Sequence, residues 1–271
     1  MAEGATIGPG ASPADHEYRG LMAEAWDLLR GDASTWPDRP FYRAVIAESG
    51  EPALDVGCGT GRLLLDYLAE GVDIDGVDVS PEMLAICARK ARLAGLAPTM
   101  FRQSIERLRL PRRYRTILVP SSTIQLITEP AAVRQALQRL QAHLEPGGTL
   151  VMSIMVLGAS EDGEAWQLEA EARRPEDGSV IRRWSRRRYD DGAQLEHTQD
   201  RYEVVLEGRV VARENFERSP ATRSYTVEQA KTLLEESGFA QVRAVAGFTD
   251  RPASSDDDLF CIFARRPPAD V

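Results

Sequence analysis

The chain of 271 residues is 43% hydrophobic, enough to bury a full core, and is sized for one large domain or one domain with a sizeable insertion. Its 33 basic and 42 acidic side chains leave a net charge of −9, the reverse of a broad phosphate-binding surface, which argues against nucleic acid as a partner. Cys58, Cys87 and Cys261 stand far apart without a C-x-x-C pair, and no apolar run approaches the roughly 20 residues of a membrane span, so neither a disulfide framework, a zinc site nor a membrane partner is expected. Met1 to Pro13, rich in Gly, Ala and Pro, lacks a basic-then-apolar leader and reads as part of a disordered arm over 1–16; a cytoplasmic location is expected.

After the arm, Leu21, Met22, Ala25, Trp26 and Leu29 recur at helical spacing within Glu17 to Leu29, and Phe41 to Ile46 predicts a second short helix. From Pro52 the pattern alternates: a strand at Ala53 to Val56, a helix from Gly61 to Glu70, a strand at Ile74 to Val79 and a helix from Ser80 to Ala94. Ser80-Pro81-Glu82 suits that last helix start, because Ser caps free N–H groups, Pro fits the first helical position and Glu complements the positive helix end. Strands near Thr99 to Gln103 and at Thr116 to Val119, a helix from Pro130 to Leu144 stopped by Pro146-Gly147-Gly148, and a strand from Thr149 to Val156 continue the rhythm.

The rhythm then breaks for about 65 residues, where an αβ connection normally takes two to six. Asp177-Gly178, Asp191-Gly192 and Glu207-Gly208 divide this stretch into extended pieces near Trp166 to Arg173, Ser179 to Tyr189, Gln194 to Leu206 and Arg209 to Glu217, an antiparallel meander. Trp166, Leu168, Ala170 and Ala172 share one face of the first piece by their period of two. A capped helix at Thr226 to Ser237 and strands at Gln241 to Phe248 and Leu259 to Arg265 follow. The fold predicted is α/β: a doubly wound, seven-stranded, mainly parallel sheet whose last strand is antiparallel, with an inserted antiparallel β meander. The corresponding divisions are helices and core over 17–156, the inserted lid over 157–222, completion of the sheet over 223–266, and a tail over 267–271.

A strand ending in Gly57-x-Gly59-x-Gly61 and opening into a helix lets the backbone turn sharply and approach a ligand, with free N–H groups at the helix start. Asp78 closes the second strand 21 positions after Gly57, where a carboxylate accepts both hydroxyls of a ribose. A nucleoside ligand follows. The dinucleotide fingerprint G-x-G-x-x-G is not met, because Arg62 stands where it wants glycine, so an NAD-dependent oxidoreductase is the second reading.

Over Pro52 to Leu150 the sequence resembles the class I S-adenosylmethionine-dependent methyltransferases, small-molecule type, in Asp55, Gly57, Gly59, Gly61 and Asp78, in Gly76-Val77-Asp78-Val79-Ser80-Pro81-Glu82-Met83-Leu84 and in Leu144-Glu145-Pro146-Gly147-Gly148-Thr149-Leu150. The resemblance implies that the loop, including Cys58, cradles the methionine part of S-adenosylmethionine, that Asp78 holds its ribose, and that Val79 and Met83 pack on its adenine. Where such enzymes often carry an acidic residue after the third strand, this chain has Gln103-Ser104-Ile105, leaving Ser104 or the backbone of Ile105 for the adenine. Tyr18 and Trp26 are read as parts of a helix closing over the cofactor, with plain packing as the alternative.

Val119-Pro120-Ser121-Ser122-Thr123 lacks both the [DN]-P-P-[FY] box of nucleic-acid base methyltransferases and an acidic strand end for magnesium, so a small-molecule acceptor and no metal are expected. Ser121 and Ser122 are candidates beside the transferable methyl. Methyl transfer to oxygen or nitrogen can proceed largely by positioning and desolvation; if a base is used, His197 is the weak candidate, while His143 belongs with a negative helix end. The run Arg182 to Arg188 either binds an anionic substrate or pairs with Glu196, Asp200 and Glu203. A non-catalytic module that binds S-adenosylmethionine is the third reading.

Overall fold

The computed structural model describes residues 17–158 and 165–268. The arm expected over 1–16, His16 included, residues 159–164 of the expected insertion and residues 269–271 of the expected tail lie outside the described residues. Helices α1 (Gly20–Glu24), α2 (Trp26–Arg30) and α3 (Asp38–Ser49) lead into β1 (Ala53–Val56), followed by α4 (Arg62–Ala69), β2 (Ile74–Asp78), α5 (Pro81–Leu93), β3 (Thr99–Arg102), β4 (Tyr114–Val119), α6 (Pro130–His143) and β5 (Leu144–Met155). Strands β6 (Gln167–Arg173), β7 (Val180–Asp190), β8 (Leu195–Leu206) and β9 (Arg209–Arg223) come next, then α7 (Val227–Glu236), β10 (Ala240–Ala246) and β11 (Leu259–Arg265).

The main sheet has seven strands in the order β10-β11-β5-β4-β1-β2-β3, and β6-β7-β8-β9 form a second, four-stranded sheet. Strands β1 to β5 pair in parallel, whereas β11 is antiparallel to both β5 and β10. Strands covered on both faces need unbroken apolar runs, and Leu54, Val56, Ile117, Leu118, Val119, Phe260, Cys261 and Ile262 are all fully buried. Two apolar clusters, one on each side of the sheet, complete the layers. Among the described residues no helix is long and apolar enough to cross a membrane.

Local signals set the helix ends. Ser80 Oγ accepts the Met83 N–H at 3.1 Å, with Pro81 at the first position of α5. Thr226 and Gln229 form a reciprocal capping box at the start of α7.

The structure departs from the sequence expectations in four places. The helix over Glu17 to Leu29 divides at Ala25 into α1 and α2, because the halves have different partners: α1 packs on the second sheet, and α2 is tied to the glycine loop, where Thr60 Oγ1 donates to Asp27 at 2.5 Å. Strand β5 begins at Leu144 rather than Thr149, since Leu144 already pairs with Tyr114 across a register shift, and α6 ends at His143. Strand β9 extends to Arg223, well beyond Glu217, as a register shift on β8 keeps the ladder going to Leu195. Finally, a bulge between Leu168 and Ala170 moves Leu168 opposite Trp184, on the face away from Ala170 and Ala172, and leaves it 45% exposed.

The inserted sheet is fastened to the carboxyl ends of the core strands. The buried Gln125 amide donates to Met155 O at 2.9 Å and to Arg223 O at 2.8 Å, while its Oε1 accepts the Met155 N–H at 2.7 Å. Its inner face then meets α1: Leu21, Met22 and Ala25 cluster with Ile181, Tyr202 and Val204. Removing Met22 or Ile181 to Ala should each cost about 2–4 kcal/mol in urea unfolding, as for other large-to-small core changes. The double variant should lose clearly less than the sum, since both empty the same cluster; strict additivity would show that α1 and the inserted sheet are not coupled.

Candidate active site

At the end of β1 the chain turns through Gly57, Gly59 and Gly61 with φ of +73°, +54° and +85°. These are left-handed conformations that side chains disfavour, and space is missing as well: a Cβ on Gly57 would fall 2.6 Å from Thr123 Cγ2, and one on Gly61 2.5 Å from Cys87 Sγ. The turn aims the Gly59 N–H at Asp78 Oδ2, 2.9 Å away, and Asp78 Oδ1 accepts the Ser80 N–H at 2.8 Å. Burial pushes the Asp78 carboxyl above its usual range, and these backbone N–H groups oppose it.

Asp55, one turn of chain earlier, is 1% exposed and its Oδ1 has no hydrogen-bond partner among the described residues. Burial, opposed by Arg62 and reinforced by Asp78, pushes its carboxyl up to about 7. Arg62 itself is held by Asp38 through two hydrogen bonds of 3.0 and 2.5 Å, which explains why an arginine occupies the position where a dinucleotide loop would carry glycine.

A cleft of about 1080 Å³, open to solvent, lies over the tips of β1 to β4. The candidates Asp55, Gly57, Cys58, Gly59, Asp78, Val79, Met83, Ser104, Ile105, Ser121, Tyr18 and Trp26 all line it. Gly61 does not; it stands behind the loop as the N-cap of α4, against Cys87 and Leu65. Ser122 is also outside the wall, its N–H donating to Ser153 Oγ at 3.2 Å. The Cys58 thiol is buried toward Gly76 and is pushed well up by that burial, so it offers no nucleophile. Gln103 is spent on the following loop, exchanging two hydrogen bonds with the Arg109 backbone.

Sequence reasoning missed Arg30, Glu106, Thr123 and Leu126, which also line the cleft. Arg30 follows the last residue of the helical pattern and carries no motif; its guanidinium lies 3.8 Å over the Trp26 ring, and burial lowers its pKa. Glu106, three positions after Gln103, puts a carboxylate-bearing residue in the cleft wall beside Ser104 and Ile105. His197 is not brought to the cleft: it pairs with Arg188 on the inserted sheet and its Nδ1 lies 2.6 Å from Ser219 Oγ. His143 accepts the Leu110 N–H through Nε2 and meets Arg139 O at the end of α6 through Nδ1, a structural role.

The arginine run is largely neutralised. Arg183 and Arg218 share the buried Asp200, Arg182 pairs with Glu171, and Arg187 with Glu169 and, at 4.0 Å, Glu196. Glu203 instead takes Arg201 and Arg213, because the ladder sets those arginines beside it.

The cleft suits a nucleoside bearing an amino acid: an acceptor carboxylate at one strand tip, an unpartnered buried oxygen for an ammonium, and a loop with no room for side chains. Together with an α/β sheet of this order, it defines a Rossmann-like transferase. Residues 53–148 match the methyltransferase domain family. Over 154 residues, 55% of this chain and 56% of the relative, the sequence is 31% identical to the dTDP-3-amino-3,6-dideoxy-alpha-D-glucopyranose N,N-dimethyltransferase of Streptomyces fradiae. An S-adenosylmethionine-dependent methyltransferase from Clostridium acetobutylicum superposes with a TM-score of 0.73 at 20% identity, covering 90% of this chain and 97% of that one. A sugar N-methyltransferase from Streptoalloteichus sp. gives 0.67 at 21%, covering 98% and 99%; at such identities the likeness speaks for the fold. Residues 53–148 carry the methyltransferase domain and the chain has the fold of S-adenosylmethionine-dependent methyltransferases, the activity these likenesses support over the oxidoreductase and the non-catalytic module.

The proton on Asp55 gives a pH signature. The folded protein keeps it up to about 7, whereas the unfolded chain releases it near the ordinary 3.8, so rising pH across that window removes stability. The urea midpoint of the ligand-free protein should therefore fall from about pH 5 to about pH 7.5, less steeply in Asp55→Asn, with Asp78 supplying part of the remainder. Identical slopes in the two proteins would contradict the assignment to Asp55.

Proposed function

We propose that the chain transfers a methyl group from S-adenosylmethionine to an amine nitrogen of a small polar acceptor enclosed beside Tyr18, with a hydroxyl oxygen as the alternative atom. The position of Tyr18 carries this reading. Its carbonyl accepts Ser80 Oγ–H at 2.5 Å, its ring meets Trp26 edge-on at 4.6 Å, and the Arg218 guanidinium of the inserted sheet lies 5.4 Å from its ring centre. One aromatic ring thus stands between the cofactor cleft and the insertion, and a cleft walled by the core and by Tyr18, Trp26 and Arg30 suits a small molecule.

Within the cleft, Asp55 Oδ1 is the group for the cofactor's ammonium and Arg30 for its carboxylate, with the glycine loop closing on the chain between them. Asp78 keeps lone pairs on both oxygens for the ribose hydroxyls. Val79 and Met83 are the apolar faces for adenine, and Ser104, the Ile105 backbone and Glu106 surround its amino group. When bound, the cofactor supplies an electrophilic methyl on a sulfonium. The residues of this chain hold the acceptor in line and exclude water.

Among the described residues no histidine lines the cleft, and a neutral amine carries its own lone pair, which favours nitrogen over a hydroxyl needing a base. Ser121 and its neighbour Ser122 adopt φ of +54° and +59°, a strained turn at the tip of β4 that holds Ser121 in the wall. The 31% identity to an amino-sugar N,N-dimethyltransferase over 55% of this chain supports an amino group on a sugar-type ring as the acceptor.

Calorimetry should show S-adenosylmethionine binding that Asp78→Ala weakens at least about tenfold, the cost of one to two charged hydrogen bonds. In methyl-transfer assays with amino sugars and phenols, turnover should favour the amines, and Tyr18→Ala should lose more turnover than cofactor affinity. Transfer confined to a macromolecule, or no heat with the cofactor, would overturn the reading.

A further inference from the structure

The connection between α2 and α3 sets an indole ring beside two arginines of the cleft. Trp36, half-buried just ahead of α3, has the Arg30 guanidinium 5.6 Å and the Arg62 guanidinium 5.0 Å from its ring centre. Both arginines line the cleft, whereas Trp36 does not. Arg30 also lies 3.8 Å over Trp26, so two indoles attend one guanidinium. Local bonds fix the connection that carries the ring: the Trp36 N–H donates to Ala33 O, and Trp36 O accepts the Arg39 N–H, both at 3.3 Å.

The two arginines differ in what answers their charge. Arg62 is spent on the buried Asp38, which takes both ends of its guanidinium. Arg30 forms no ion pair among the described residues, and burial, joined by the charges of Arg62 and Arg183, lowers its pKa against the opposing effects of Tyr18 and Asp27. Asp27 is itself taken by Thr60 Oγ1 at 2.5 Å and Lys90 Nζ at 2.8 Å. A carboxylate beside Arg30 would cancel its charge, whereas an aromatic face attracts a cation and leaves that charge for a ligand to meet.

We infer that Trp36 is a positioning residue for cofactor recognition: its ring orients Arg30 toward the cofactor's carboxylate without neutralising it, and ties that guanidinium to the Arg62–Asp38 pair at the start of α4. This rests on the cofactor placement proposed above. The contribution falls on the amino-acid part of the cofactor alone, because the groups assigned to the nucleoside, Asp78, Val79 and Met83, belong to the β2–α5 corner and not to the α2–α3 connection.

Calorimetry on the full chain compares S-adenosylhomocysteine with methylthioadenosine, which keeps the nucleoside and the sulfur but lacks the amino acid. Trp36→Leu, which keeps bulk without an aromatic face, should weaken S-adenosylhomocysteine at least about fivefold, the size expected for a partly desolvated cation–π contact, and leave methylthioadenosine within about twofold. Trp36→Phe should recover most of the loss. Arg30→Gln should show the same selectivity, and combining it with Trp36→Leu should add no further loss. Equal weakening of both ligands by Trp36→Leu, no weakening of either, or losses that add in the double variant would each overturn the role of Trp36 and leave the cofactor site standing. No heat with S-adenosylhomocysteine in the unchanged protein would instead overturn the cofactor placement itself.

Discussion

The hydrogen bond from the Gly59 N–H to Asp78 Oδ2 makes two neighbouring strand ends into one site. It exists because β1 and β2 are parallel and in register up to Val56 and Val77, and because the turn after β1 can run through positive φ without side chains in the way. The bond fixes the carboxylate where its remaining lone pairs face the cleft, and it fixes the loop whose backbone lines the same cleft. Ser80 repeats the arrangement on the other oxygen and then caps α5, so carboxylate, loop and helix start form one rigid corner.

This corner was legible because its information is local. The spacing of Gly57, Gly59 and Asp78 is a statement about backbone geometry over some two dozen residues, and apolar runs covered on both faces announce parallel strands. What stayed hidden depended on distant pairing. The Leu168 bulge was invisible, since it is decided by register against β7, and so was the division of α1 from α2, decided by two partners far along the chain. Arg30 and Glu106 carry no motif; only the meeting of α2 with the tips of the strands makes them part of a cleft. His197 drew notice as an isolated titratable residue, but strand parity turned it away from the cofactor.

The amino-terminal helices and the inserted sheet, nearly 150 residues apart in sequence, are best understood as a single roof. Helix α1 is too short to hold itself, and a four-stranded sheet with one apolar patch needs cover for it. Each supplies what the other lacks through Leu21, Met22, Ile181 and Tyr202. Glu214 of β9 accepts the Leu21 N–H while Glu82 of α5 accepts the Gly20 N–H, so the segment carrying Tyr18 is pinned to insertion and core at once. The buried trio of Arg183, Asp200 and Arg218 then stiffens the sheet where it faces that segment.

The amide of Gln125 touches both the last residue of β5 and the last residue of β9, the places where the chain leaves the core and comes back. Departure and return therefore share one fastening, and the main sheet registers almost nothing of what lies between. The stretch distal to that fastening can be exchanged as a module without disturbing the register of the main sheet, provided the replacement again covers α1. Changes there then accumulate in one cassette, decoupled from the register of the strands that present the glycine loop and Asp78.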